Sequence, residues 1–276
     1  VKAKKTSINN LKNVTISEWG GPESLRLNER VLYTEKTADG DQYDFVFAPK
    51  QESGRLIVFF SGDARRTKFE PPVFQRWSWA SKFPANCLYF SDPALYLNDQ
   101  LGLAWYAGGQ GTDYLEHIWG IVNSILPTLG VAPGRVFSYG SSGGGFAALR
   151  SAQYFHGLRV VAINPQTDLW AYPQKWTSRL ARAAYGVGTL KDVSPDEHYK
   201  FTTLDRRTLD GAQEIFLAQN IQDCDHHWNH FEPFRQFAHL TSNSRKLTTK
   251  LFSDPSGHAG AEDEETFSHI MGFLQQ

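Results

Sequence analysis

Apolar and polar residues alternate along "SLRLNERVLYTEKTADGDQYDFVFAP" on either side of Asp39-Gly40. That is the period of half-buried strands joined by a tight turn. The pattern then changes. "RLIVFFSG" and "NCLYFSDP" are unbroken apolar runs of strand length, as expected of strands covered on both faces. "TDYLEHIWGIVNSIL" spaces Leu115, Ile118, Val122 and Ile125 at helical intervals, with Asp113 and Glu116 placed to form a capping box. The order then repeats as strand "RVFSYG", helix "GFAALRSAQYF" and strand "LRVVAINP". A short helix is expected near Thr177–Tyr185, strands at "EIFLAQN" and "KLTTKLFSD", and a closing helix from about Glu262 to Leu274. Buried strands alternating with helices predict an α/β fold. Its central sheet should be mainly parallel with helices on both faces and antiparallel strands at the N-terminal edge. Residues 1–276 read as one domain, interrupted at Trp170–Leu209 by a polar stretch that breaks the alternation.

Composition narrows the function classes. A net charge of -1 offers no basic field for nucleic acid. No apolar run reaches the ~18 residues of a membrane span. The first ten residues, "VKAKKTSINN", hold no apolar signal core. The lack of an initiator methionine leaves a removed export signal open. Cys87 and Cys224 stand far apart and read as free thiols, so the expected location is cytoplasmic.

The densest chemistry lies in "VFSYGSSGGGFAALRSA". A phosphate-binding P-loop would need a lysine after its second glycine, and Phe146 follows Gly145 instead. A dinucleotide fingerprint matches at Gly143, Gly145 and Ala148, but it falls after several strands, whereas such a fingerprint opens its domain. Gly140-Ser141-Ser142-Gly143-Gly144 also reads Gly-x-Ser-x-Gly between a strand and a helix. That is the pattern of a nucleophile elbow. The sharp turn brings the positions two before and two after the serine together, which selects glycine. Ser142 alone meets the rule, because Ser141 would require a small residue where Tyr139 stands.

A serine hydroxyl needs a base, and the base needs an orienting carboxylate. "EIFLAQNIQDCDHH" places Asp223 and Asp225 after a strand, and "LFSDPSGHAG" places His258 after the last strand. The order Ser, Asp, His resembles the α/β-hydrolase superfamily over about residues 40–276. The resemblance implies Ser142 as nucleophile, His258 as base and Asp223 as acid, with Asp225 as the alternative acid. It also implies an oxyanion hole from the Gly143 N–H and from the Gly62 or Asp63 N–H in "VFFSGDARR". His226, His227 and His230 in "HHWNH" lack a carboxylate or cysteine frame for zinc. Neither a metal nor a cofactor is expected.

Aromatic content is high, with eight tryptophans. Trp105, Tyr106 and Trp170 are the candidate substrate-binding residues, within a set that also holds Trp77, Trp79, Tyr89, Tyr96, Tyr172 and Trp176. Asn164, Gln166 and Asp168 supply polar groups that suit a sugar. Several short motifs are similar to hydrolase-like proteins of bacterial glycan and capsule biosynthesis, which implies chemistry on O-acyl groups of carbohydrate. The expected partner is a small-molecule or glycan acyl ester, with Trp170–Leu209 as a lid. The competing readings are a glycan-binding module without catalysis, a serine peptidase and a nucleotide-dependent oxidoreductase.

Overall fold

A computed structural model describes residues 11–260 and 262–276. The segment read above for a signal core, residues 1–10, lies outside the described residues. Nine strands form one sheet: β1 (Thr15–Glu18), β2 (Val31–Lys36), β3 (Gln42–Ala48), β4 (Leu56–Phe60), β5 (Asn86–Phe90), β6 (Val136–Ser141), β7 (Leu158–Ile163), β8 (Ala212–Asn220) and β9 (Leu247–Phe252), in spatial order β1-β2-β3-β5-β4-β6-β7-β8-β9. The sheet is mainly parallel, as expected, but the antiparallel edge reduces to one reversed strand. β3 runs against both of its neighbours, while β1 runs parallel to β2. The β2–β3 hairpin turns at Asp39-Gly40, where Gly40 takes a φ of 91°.

The unbroken apolar strands divide into two cores by their period of two. Val58, Phe60, Val160, Ala162 and Leu217 face one core, built against α1 (Tyr114–Leu129) and α2 (Gly143–Arg150). Ile57, Phe59, Tyr139, Val161 and Phe216 face the other. The second core packs against Phe74, Phe83 and the last helix, Glu264–Gln275. In α1 the predicted stripe Leu115, Ile118, Val122 and Ile125 is buried. Asp113 caps α1 through the Leu115 N–H rather than through a capping box with Glu116. Its second oxygen accepts from the buried Arg150 guanidinium and the Tyr154 hydroxyl.

Between β7 and β8 lie α3 (Gln174–Tyr185), three 3-10 segments and α4 (Arg206–Gly211). After β8, α5 (Cys224–His226) passes through a π turn at His227–Phe231 into α6 (Glu232–Leu240), and the last helix, α7, follows β9. Among the described residues no helix is long and apolar enough to cross a membrane, and Cys87 and Cys224 are free.

Candidate active site

Ser142 stands at the junction of β6 and α2 with φ 56° and ψ -124°, a strained conformation for a residue with a side chain. The surrounding glycines answer to space. A Cβ on Gly140 would sit 2.1 Å from the Gly144 carbonyl oxygen, and one on Gly144 would sit 2.2 Å from the Phe60 carbonyl oxygen. The turn therefore closes only with hydrogen at these positions, and the serine side chain is the one that stands clear.

Ser142 Oγ lies 2.8 Å from His258 Nε2, and His258 Nδ1 lies 2.7 Å from Asp223 Oδ2. The structure thus brings together the serine, histidine and aspartate picked out from sequence. Asp225, the alternative acid, is exposed and makes no contact with His258. Burial works to raise the Asp223 carboxyl, but hydrogen bonds from His226 and His258 outweigh it and hold the group well below the usual carboxylate range. Asp223 is therefore an anion throughout the neutral range, able to orient an imidazole and to offset its positive charge.

The oxyanion candidates separate. The Gly62 N–H is donated to Gln75 Oε1 at 3.1 Å, so Gly62 is corrected from donor to support. Among the described residues nothing accepts from the Asp63 N–H, and the same holds for the Gly143 N–H at the first position of α2. The β4 end that carries this turn is held from below. The Ser61 N–H donates to the Tyr106 hydroxyl, which itself donates to the Phe90 carbonyl, both at 2.8 Å.

That contact also corrects the substrate-binding set. Trp105 and Tyr106 are 1% and 0% exposed. Both backbones take a φ of 55°, and both rings turn into the core. Trp170 does not line the cavity either; its ring packs edge-on against His198 and Phe201. Ser142 and His258 instead open onto a cavity of about 810 Å³ walled by residues between Gly62 and Trp79, together with Asn164, Gly260 and Glu262. Its aromatic lining includes Trp77 and Trp79, with Phe69 and Phe74. No residue of 170–209 lines it.

The sequence reading missed Arg76. Its guanidinium meets both Glu262 oxygens, at 3.0 and 3.1 Å, and donates to Ser141 Oγ at 3.2 Å, while the Tyr139 hydroxyl donates to Glu262 at 2.8 Å. This buried pair ties the cavity wall to the His258 loop. Burial works to raise the Glu262 carboxyl, but the Arg76 charge outweighs it and lowers the pKa. The unfolded chain therefore binds this proton at higher pH than the folded one. The pair's stabilisation is present above the ordinary carboxylate value and is lost as pH falls through the folded one. Glu262→Gln is expected to cost about 3 kcal/mol at pH 7 by leaving a buried guanidinium unpaired. It should also flatten the fall of stability with acid, read by urea unfolding at a series of pH values. An unchanged acid slope would remove Glu262 from this account.

No protein-family model and no curated protein matches the sequence. Solved structures do. The capsule O-acetyltransferase of Neisseria meningitidis serogroup A aligns with a TM-score of 0.62 at 18% identity, over 87% of this chain and 97% of that one. A histidine-to-alanine mutant of that protein has been solved in complex with CoA. Dipeptidyl peptidase 4 of Porphyromonas gingivalis aligns with a TM-score of 0.62 at 15% identity, over 91% of this chain and 36% of that one. The Francisella virulence factor BioJ aligns with a TM-score of 0.57 at 11% identity, over 92% and 87%. The chain has the α/β-hydrolase fold. One strand reversed next to a parallel sheet and the glycine-rich elbow at the end of β6 match that fold.

Proposed function

We propose that this protein is a serine-dependent acyl-transfer enzyme, an ester hydrolase or acyltransferase that acts on O-acyl groups of a carbohydrate. The observation that carries the proposal is the unbroken line from Asp223 through His258 to Ser142 Oγ, at 2.7 and 2.8 Å, at the mouth of a large cavity. Ser142 Oγ attacks the acyl carbonyl and His258 Nε2 takes its proton. Asp223 holds the ring with its proton on Nδ1 and offsets the imidazolium charge. The Gly143 and Asp63 N–H groups receive the developing oxyanion. His258 then protonates the leaving alkoxide, and water or an acceptor hydroxyl resolves the acyl-enzyme.

The carbohydrate reading draws on the half-buried Trp77 and Trp79 faces beside the polar groups of Asp63, Gln75, Asn164 and Glu262. It also draws on the likeness to a capsule O-acetyltransferase. The CoA complex of that protein makes an acyl-CoA the donor class to try first. In this reading the residues between Gly62 and Trp79 select the substrate, and the 170–209 segment supports the site from behind.

Intact-mass labelling with a fluorophosphonate tests the nucleophile. One adduct on the wild type is expected, and an unlabelled folded wild type would bring the binding-module reading forward. A parallel screen of acetylated sugars, acetyl-CoA with sugar acceptors, long-chain esters and peptide amides tests the substrate class. Turnover confined to lipid or peptide substrates would sink the carbohydrate reading.

A further inference from the structure

The groups that hold Ser142 do not end at Asp223. Its carboxylate is shared: Oδ2 meets His258 Nδ1 at 2.7 Å and Oδ1 meets His226 Nδ1 at 3.1 Å. The two imidazoles stack, with centroids 3.9 Å apart and planes 17° from parallel. From His226 the path returns to the serine. Gln166 Nε2 lies 2.7 Å from His226 Nε2 and 3.1 Å from Ser142 Oγ. Ser142, His258, Asp223, His226 and Gln166 close a ring of hydrogen bonds.

Trp105 sets the direction of that ring. An indole N–H can only donate, and this one donates to Gln166 Oε1 at 3.1 Å. The Gln166 amide nitrogen must then face Ser142 Oγ and His226 Nε2, giving one hydrogen to each. His226 Nε2 accepts, so its proton sits on Nδ1 and is donated to Asp223. Ser142 Oγ already accepts from Gln166, so its own proton points to His258 Nε2. Burial pushes the His226 pKa down, which keeps that ring neutral beside the one that must charge.

We infer that Gln166 is a further catalytic residue, one that supports negative charge on the serine oxygen as the acyl-enzyme breaks down, and that His226 is the positioning residue that aims it. The inference rests on the acyl-enzyme reading above. In breakdown, a water or acceptor hydroxyl attacks the acyl carbon and its proton passes to His258 Nε2. The C–Oγ bond then breaks, its electron pair goes to Oγ, and His258 returns the proton to that oxygen. The Gln166 N–H already points at Oγ and bonds most strongly while the oxygen is charged. In the attack step the same N–H competes for the lone pair that forms the new bond. Losing it therefore costs less in acylation than in deacylation.

The test is stopped-flow turnover of p-nitrophenyl acetate by wild type, Gln166→Met and His226→Phe, with intact mass of the quenched enzyme. Methionine keeps the length of Gln166 and removes its donors. Phenylalanine keeps the stacked ring and removes both nitrogens. Both variants should lower the steady-state rate by about 10- to 100-fold while the burst rate changes much less, so that acetyl-enzyme accumulates. Equal loss in both phases, or no loss, overturns the role of Gln166 alone. A wild type that forms no acyl-enzyme overturns the proposed function and this role with it. Nitrogen-15 NMR of labelled histidine reads the ring without turnover: His226 is expected to carry its proton on Nδ1. A proton on His226 Nε2 overturns the arrangement whatever the activity.

Discussion

Replacing Ser142 with alanine is expected to abolish fluorophosphonate labelling and to lower turnover of an acyl ester by about 10⁶-fold in kcat. The size follows from what the serine supplies. Without Oγ there is no acyl-enzyme, and His258 is left with a water that nothing positions. Residual turnover would come from the Gly143 and Asp63 N–H groups alone. His258→Ala should lose nearly as much, because a serine without its base is not a nucleophile at neutral pH. The double variant should be no worse than either single one, since the two act as a unit. Additive losses would mean that the groups contribute independently, and the 2.8 Å contact between them would not be the reacting one.

Asp223→Asn is expected to cost less than loss of the serine or its base, but still about 10⁴-fold in kcat. Asparagine keeps one acceptor and places an N–H where the other carboxylate oxygen was. Asp223 accepts from two imidazoles, so one of them has to present a bare Nδ1 and carry its proton on Nε2. If that ring is His258, the base faces Ser142 with a proton already in place. If it is His226, its Nε2–H meets the Gln166 N–H and the serine loses its donor. Either outcome is damaging, and the NMR signals of the two rings would tell which occurs. A loss below tenfold in kcat, with folding intact, would contradict the role given to Asp223.

What could be read in the sequence, and what could not, divides along the range of the forces involved. The alternation of strands and helices was legible because buried strands and amphipathic helices impose local periods. The elbow at Ser142 was legible because its steric demands fall on neighbours in the chain, Gly140 and Gly144. Asp223 and His258 could be found because the fold orders them. The antiparallel pairing at the N-terminal edge was legible in the β2–β3 hairpin, but its continuation to β5 was not, because the hairpin says nothing of the other neighbour of β3. The mostly exposed β1 has no apolar run to reveal it. Trp105 and Tyr106 were misplaced because an aromatic residue near a strand end carries the same letter in a core or in a pocket. Gln166 and His226 were visible only as a polar strand end and one of several histidines. Their roles depend on an indole donor 61 positions away from Gln166 and on a carboxylate already committed to another ring.

The Gln75 amide that accepts from the Gly62 N–H also donates to the Asp63 carbonyl, at 3.3 Å. One side chain of the cavity wall therefore grips the peptide units on either side of the one that carries the Asp63 N–H. Under the proposed function, the shape of the cavity and the strength of the oxyanion contact are mechanically coupled through Gln75. If the substrate is the carbohydrate proposed above, a wall that shifts around a bulkier sugar should drag the turn with it, so that a change of preference arrives with a change of rate. Selections for new acceptors should then return compensating substitutions at Gln75, and variants that keep Gln75 fixed while remodelling Trp77 and Trp79 should retain the most activity.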